Sequence, residues 1–369
     1  MPGPDPDFGR LRTALLRQGE PDRVPIVEAG VDQAVKEALL GRPIKSMADE
    51  VEFWASAGYD YVPLSFGLRQ LLGPDFARRF GSTLDHKTVS DAKISAFGDG
   101  ISRRAWAVEG TGIITSRADL DAFRWPTADD LSYEALDEVA QYLPATMKVI
   151  AYTGYIYTTA WQLMGLEGFS VALADDPDLI ARLFDRIGEI QYRVFEKLLQ
   201  SKLIGAIWQP DDIAYTEALM LAPGHLRRHV FPWYKLMGDV CRDRGIPHLL
   251  HSDGRLDEVM GDVVDCFDAV HPFEPKAMDI VAAKKMWGNR ICVIGNIDLG
   301  YTLTRGTPAE VEAEVLERIR ALAPGGGYCL SSSNSIADYV PLANFNAMRE
   351  AALKYGKYPI QGISPTIRA

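Results

Sequence analysis

The chain has 369 residues, 47% of them hydrophobic, enough to bury a large core, and its formal net charge is -11. That acidity argues against nucleic acid and against an anionic membrane surface as partners. No basic start followed by an apolar stretch opens the sequence and no apolar run could cross a bilayer, so a cytoplasmic protein is expected. The 4 cysteines (Cys241, Cys266, Cys292 and Cys329) are scattered without a C-x-x-C pair and read as reduced, mostly buried thiols.

Residues 1–9 are expected to form a disordered lead, followed by a short amphipathic helix over 9–18 and a first strand over 22–30 that ends at Glu28. Helical patterning over 32–40 and 47–57 frames a second strand over 59–64. Residues 102–108 and 112–116 look like antiparallel arms around a Glu109-Gly110 turn, an inserted β-hairpin near residues 100–116. From Lys148 the alternation is regular. Strands are predicted over 149–153, 205–210, 246–250, 267–274, 290–296 and 326–332, with helices over 157–173, 178–203, 225–242, 277–287, 308–322 and 340–355 between and after them. Thr307 before Pro308 is a helix-starting pair. Eight strands alternating with helices imply an α/β fold, a single (β/α)8 TIM barrel spanning 1–369. An open doubly wound sheet would carry a glycine-rich phosphate loop after its first strand, and Glu28-Ala-Gly30 is not one.

In such a barrel the chemistry sits where strands finish. The focal stretch is His248-Leu-Leu-His-Ser-Asp253, because side chains alternate along a strand and His251 and Asp253 therefore face the same way. An imidazole and a carboxylate on one rim form a metal-binding or acid–base pair. Other strand ends add Glu28, Tyr155, Tyr157, Asp211, Asp212, Glu274, Asn296 and Asp298, with Ser332, Ser333 and Asn334 at the last. Singly, each has a plain alternative as a helix cap or a turn residue. Together they make a ring of acids, amides and one histidine around a single mouth. Tyr155, Tyr157 and Trp208 fall at loop beginnings, where a flat substrate could stack. His248 is expected to point the opposite way, into the helical layer, and His271 to line the mouth at most.

His251-Ser-Asp-Gly254, Gly295-Asn-Ile-Asp298, the segment 325–336, Pro341-Leu-Ala-Asn-Phe345 and Lys354-Tyr-Gly356 together resemble the uroporphyrinogen decarboxylase superfamily. The resemblance is best over 200–360 and implies one uroporphyrinogen-decarboxylase-like barrel domain. True decarboxylases of that superfamily carry an arginine-bearing motif after the first strand. This chain reads Ile26-Val-Glu-Ala-Gly-Val-Asp32 there, and Ser333-Asn-Ser335 replaces their late Gly-His-Gly. The other branch contains zinc methyltransferases that work with corrinoid proteins and bind zinc through His-x-Cys and a later Gly-Cys-Gly. His251-Ser-Asp253 resembles the first motif with aspartate for cysteine, and Asn334 stands where the later cysteine would be.

The resemblance therefore implies zinc, or another divalent metal, on His251, Asp253 and Asn334, completed by Glu274 or Glu28. A corrinoid would be supplied by a partner protein, and the substrate would be a small O- or N-methylated compound such as an aryl methyl ether. Asp212 or Glu274, in a rim that also holds Asp211, would serve as general acid; Glu28, Tyr155, Tyr157, Trp208 and Asn296 would line the substrate. A decarboxylase of a small carboxylic acid and a non-catalytic binding barrel are the rival readings. A homodimer is left open.

Overall fold

The structure, a computed structural model, describes residues 5–68 and 112–360. Seven strands, β1 (Tyr61–Ser65), β2 (Lys148–Tyr152), β3 (Ile204–Pro210), β4 (His248–His251), β5 (Ala269–His271), β6 (Cys292–Ile294) and β7 (Tyr328–Cys329), form one sheet in chain order. Every neighbouring pair is parallel. A parallel pair needs a crossover, and helices supply it, which is why the strands read as continuous apolar runs covered on both faces. Every residue of β3 is buried.

The first predicted strand takes another form. Ile26 makes a parallel bridge to Leu330, with Val27 N donating to Leu330 O (2.8 Å) and Leu330 N to Pro25 O (2.9 Å). On its other side this segment meets β1 through a side chain: the Tyr61 hydroxyl accepts from Glu28 N (2.9 Å) and donates to Glu28 O (2.7 Å). Pro25 and Pro63 lack the N–H groups a regular ladder would use there. The segment around Glu28 thus bridges the outermost strands, β1 and β7.

The amino ends of the strands are sealed by ions. Arg10 pairs with Asp22 (2.5 Å) and with buried Asp60 (2.6 Å), which also meets Arg23 (3.3 Å). Burial pushes the Asp60 carboxyl up to about 6 against the pull of Arg23 and Arg10. Residues 5–9 are part of this seal, not a loose lead: Asp7 caps helix Phe8–Leu15 through Gly9 N (2.8 Å), and Phe8 is buried.

Helix Pro308–Leu322 has the predicted bounds and a capping box between Thr307 and Glu310. Two predicted helices are each divided in two. Gly165, at φ +75, separates Tyr157–Met164 from Leu166–Asp175, and Pro223–His229 gives way to Phe231–Arg244 with Pro232 in its first turn. Most of the expected hairpin near residues 100–116 lies outside the described residues. Its described end is tied to a helix, Gly112 N donating to Met164 O (3.2 Å) and Ile113 N to Leu163 O (2.8 Å). Among the described residues no helix is long and apolar enough to cross a membrane. All four cysteines are free and buried.

Candidate functional site

The carboxyl ends of β3 and β4 bring three donors together. Asp212, His251 and Asp253 each offer one ligand atom, and these atoms lie within 4.8 Å of one another. His251 Nε2 is 3.6 Å from Asp253 Oδ1 and 3.8 Å from Asp212 Oδ1. Those gaps are too long for hydrogen bonds. They are close to the roughly 3–3.5 Å that separates two ligands each about 2.1 Å from one ion. The loop is drawn tight by Asp253 N, which donates to Asp212 Oδ1 (3.0 Å). Asn334 Nδ2 donates to both Asp253 oxygens (2.9 and 2.7 Å) and fixes the carboxylate plane.

Gly254 turns the chain away at φ +83 and donates its N–H to Glu274 Oε2 (2.9 Å). A Cβ at that position would stand 2.5 Å from Tyr215 O, so the turn requires glycine.

Charge in this corner is one-sided. Burial pushes the Asp253 carboxyl up to about 6; His251 pulls it down, and Asp212 and Glu274 push it up again. Lys276 lies 3.4 Å from Glu274 on the exposed side. One imidazole nitrogen and two carboxylate oxygens, crowded by a third carboxylate, fit a divalent cation that accepts oxygen, zinc included.

Asn334 joins the cluster through Asp253, while Asp212, expected to serve as an acid, supplies the third donor atom of the cluster. His271, expected to line the mouth at most, sits deeper. It is fully buried, and its Nδ1 lies 2.8 Å from His251 Nδ1 while its Nε2 lies 2.9 Å from Ser331 Oγ. Burial, then His251, push its imidazole well below the ordinary value. The period-two rule could have found it, since His271 stands opposite His251 in the β4–β5 register.

Several expected rim residues are turned away from the mouth. Asp211 is sealed under helix Tyr157–Met164, accepting from the N–H groups of Ile156, Tyr157 and Thr158 (2.8, 2.7 and 2.8 Å) and from the hydroxyls of Thr158 (2.7 Å) and Tyr234 (2.6 Å). With both oxygens engaged it anchors a helix start and has no free face for a substrate. Tyr157 is buried with its ring edge-on to Phe169 (5.9 Å). Asn296 is closed in between Phe273 O (2.6 Å) and Arg318 Nε (3.0 Å). Trp208 is buried but inside the sheet's curl, stacked on Tyr152 (5.0 Å) and edge-on to His271 (5.3 Å). His248 faces the helical layer, Nδ1 3.2 Å from Cys266 O.

Glu28 is fully buried and points at Ser332, which donates its N–H to Oε1 (2.7 Å) and pairs its hydroxyl with Oε2 (2.6 Å). Burial pushes this carboxyl from 4.5 up to about 8, against the pull of the Ser332 and Ser331 bonds. The folded chain therefore holds a proton that the unfolded chain has released. Stability from this group is fully present below the unfolded value and is lost as pH rises through the folded one. Glu28→Gln, whose amide can keep both Ser332 bonds, should remove that loss. Urea unfolding is expected to show wild-type stability falling by a few kcal/mol more than the variant's between about pH 5 and 8, at about 1.4 kcal/mol per unit of pKa shift. Parallel pH profiles would refute the assignment.

A cleft of about 260 Å³ opens beside the cluster, lined by Ser65, Phe66, Gly67, Tyr152, Tyr155 and Pro210. Tyr155 lines this cleft, and Pro210 stands opposite His251 in the β3–β4 register.

The family described as Uroporphyrinogen decarboxylase (URO-D) matches residues 111–355. A protein described as Methylcobamide:CoM methyltransferase MtaA from Methanosarcina barkeri is 30% identical over 107 residues, 29% of this chain and 30% of that protein. Its counterpart from Methanosarcina barkeri (strain Fusaro / DSM 804) is 29% identical over 107 residues. The matched stretch spans 30% of the length of these curated relatives. A solved structure described as a methyltransferase from Methanosarcina mazei superposes with a TM-score of 0.69 at 19% identity, covering 95% of this chain and 99% of that one, a likeness of fold.

Proposed function

Since the chain belongs to the uroporphyrinogen decarboxylase family, we propose that it is one of that family's methyltransferases, a single (β/α)8 barrel that binds a divalent metal through Asp212, His251 and Asp253. It moves a methyl group from a small O- or N-methylated compound, an aryl methyl ether being one candidate, to a corrinoid carried by a partner protein. The convergence of Asp212, His251 and Asp253 on one point carries this reading. The partial likeness to the two methylcobamide:CoM methyltransferases supports the corrinoid.

The metal would act as a Lewis acid on the atom bearing the methyl group. A corrinoid on the partner would supply the cobalt(I) nucleophile that takes the methyl; the electron pair of the broken C–O or C–N bond would stay on the heteroatom, which would need one proton. With Asp212 engaged in the cluster, Glu274 is left as the proton source; it is held by Gly254 N and faces the same mouth. The flat walls of Phe66, Tyr152 and Tyr155 suit an apolar or aromatic group on the substrate. Among the described residues no arginine lines this cleft, and the acids of the mouth would repel a polycarboxylate.

The test mixes purified protein with cob(I)alamin and a panel of aryl methyl ethers and methylamines, following methylcob(III)alamin by absorbance. Transfer is expected with zinc present, lost on chelation and restored by zinc. Equal rates with and without metal, or no divalent ion bound at one per chain, would refute the reading.

A further inference from the structure

We propose that Lys36 and Glu50 close the far end of the substrate cleft and select a methyl donor whose side chain ends in a hydroxyl; this rests on the methyl-transfer reading of the site.

A second cleft, of about 290 Å³, lies beside the first and is lined by Val31, Lys36, Glu50, Trp54 and Leu64 among others. Ser65 and Tyr152 line both, so the two share a wall where β1 and β2 end. Among the described residues the first cleft has no charged lining group, and the second has Lys36 and Glu50. Lys36 comes from helix Gln33–Leu40 and Glu50 from helix Met47–Ser56. Their ion pair (2.5 Å) is sheltered, with side chains 13% and 30% exposed, so Lys36 is more than a solvated surface cation.

An ammonium has three N–H groups and a carboxylate two oxygens. The pair uses one of each, Lys36 Nζ donating to Glu50 Oε1, and among the described residues no other partner reaches Nζ or Glu50 Oε2. A group entering this cleft must offer an acceptor to Lys36 and a donor to Glu50. A hydroxyl is both at once. A carboxylate would meet attraction and repulsion at similar range after losing its water. An alkyl tail would strip water from both charges and return nothing.

The spacing of the strands sets where that hydroxyl stands on the donor. Three strand spacings of about 4.8 Å separate β1 from β4, so the shared wall lies roughly 15 Å along the rim from the cluster. A methyl group at the cluster and a hydroxyl beyond that wall are too far apart for one ring. The ring fills the first cleft against Phe66, Tyr152 and Tyr155, and the hydroxyl ends a side chain of several atoms.

Calorimetry on metal-free protein without corrinoid tests this. The probes are para-substituted phenols whose three- to five-carbon tails end in hydroxyl, methyl or carboxylate, the demethylated forms of the matching methyl ethers. Wild-type protein is expected to bind the hydroxyl tail roughly tenfold more tightly than the methyl tail. Lys36→Met should lose that preference. Glu50→Gln leaves the ammonium unopposed and should move the preference to the carboxylate tail. The KM of the matching ethers should follow the order of wild-type affinities.

Equal wild-type affinity for hydroxyl and methyl tails, or no binding of any phenol, would overturn the proposal. So would an undiminished preference in Lys36→Met, or a Glu50→Gln variant that still shuns the carboxylate. A hydroxyl preference that depends on Lys36, with no methyl transfer from the matching ethers, would sink the methyltransferase reading and leave the cleft assignment standing.

Discussion

Asp211→Ala is expected to lower the free energy of unfolding by about 3–5 kcal/mol, the range found when one partner of a buried charged network is removed. The carboxylate accepts five hydrogen bonds, three from backbone N–H groups at the start of helix Tyr157–Met164 and two from the hydroxyls of Thr158 and Tyr234. Truncation leaves those donors buried and unpaired, each costing about 1–3 kcal/mol before relaxation. It also removes the negative charge that the helix start favours. Asp211→Asn keeps one acceptor oxygen but turns an amide N–H₂ towards donors, so it should cost less than alanine and more than a surface change. Urea unfolding by circular dichroism checks both. A loss under 1 kcal/mol for the alanine variant would mean that Asp211 does not hold the helix. The neighbouring Asp212 supplies the contrast: its side chain is 44% exposed, and its replacement should affect the cluster much more than the fold.

His251→Ala should cost little stability and nearly all metal binding. A structural four-ligand zinc site is worth about 10–16 kcal/mol, so one ligand accounts for roughly 3 kcal/mol, or a loss of about two orders of magnitude in affinity. The variant's cost to the fold is confined to the orphaned Nδ1 of His271, about 1–3 kcal/mol. Metal titration on folded protein should show the loss, and methyl transfer should fall with it. A variant that binds Co²⁺ as tightly as the wild type would remove His251 from the cluster. Asp253→Ala should behave similarly in binding, with an added effect on Asn334, whose amide loses both of its acceptors.

The sequence made the strands and the rim legible because buried parallel strands leave long apolar runs, and their polar ends stand out against them. His251 and Asp253 were found by alternation alone. The same alternation, applied to the end of β3, separates its acids: Trp208, Pro210 and Asp212 share the inner face, and Asp211 is left pointing at the helices. Other placements were not readable. Asn296 sits at a strand end like the others, yet Arg318, 22 residues further on, closes over it. Tyr157 follows a strand closely, but the helix it begins starts at once and turns its ring into the core. Both outcomes depend on where a distant helix packs, which local pattern does not encode. His271 was placed no further than the lip of the mouth for a related reason: its partners, His251 and Ser331, come from two other strand ends, and only the curl of the sheet brings them together.

Glu28 meets β1 through the Tyr61 hydroxyl and the end of β7 through Ser332, so a single buried acid stitches the two margins of the sheet to each other. Ser332 lies two residues before Asn334, which fixes Asp253, so the geometry of the cluster is only as durable as that seam. The outer helices, held by their own packing, do not depend on it in the same way, so fraying at the seam would disarm the molecule while most of its shape persisted.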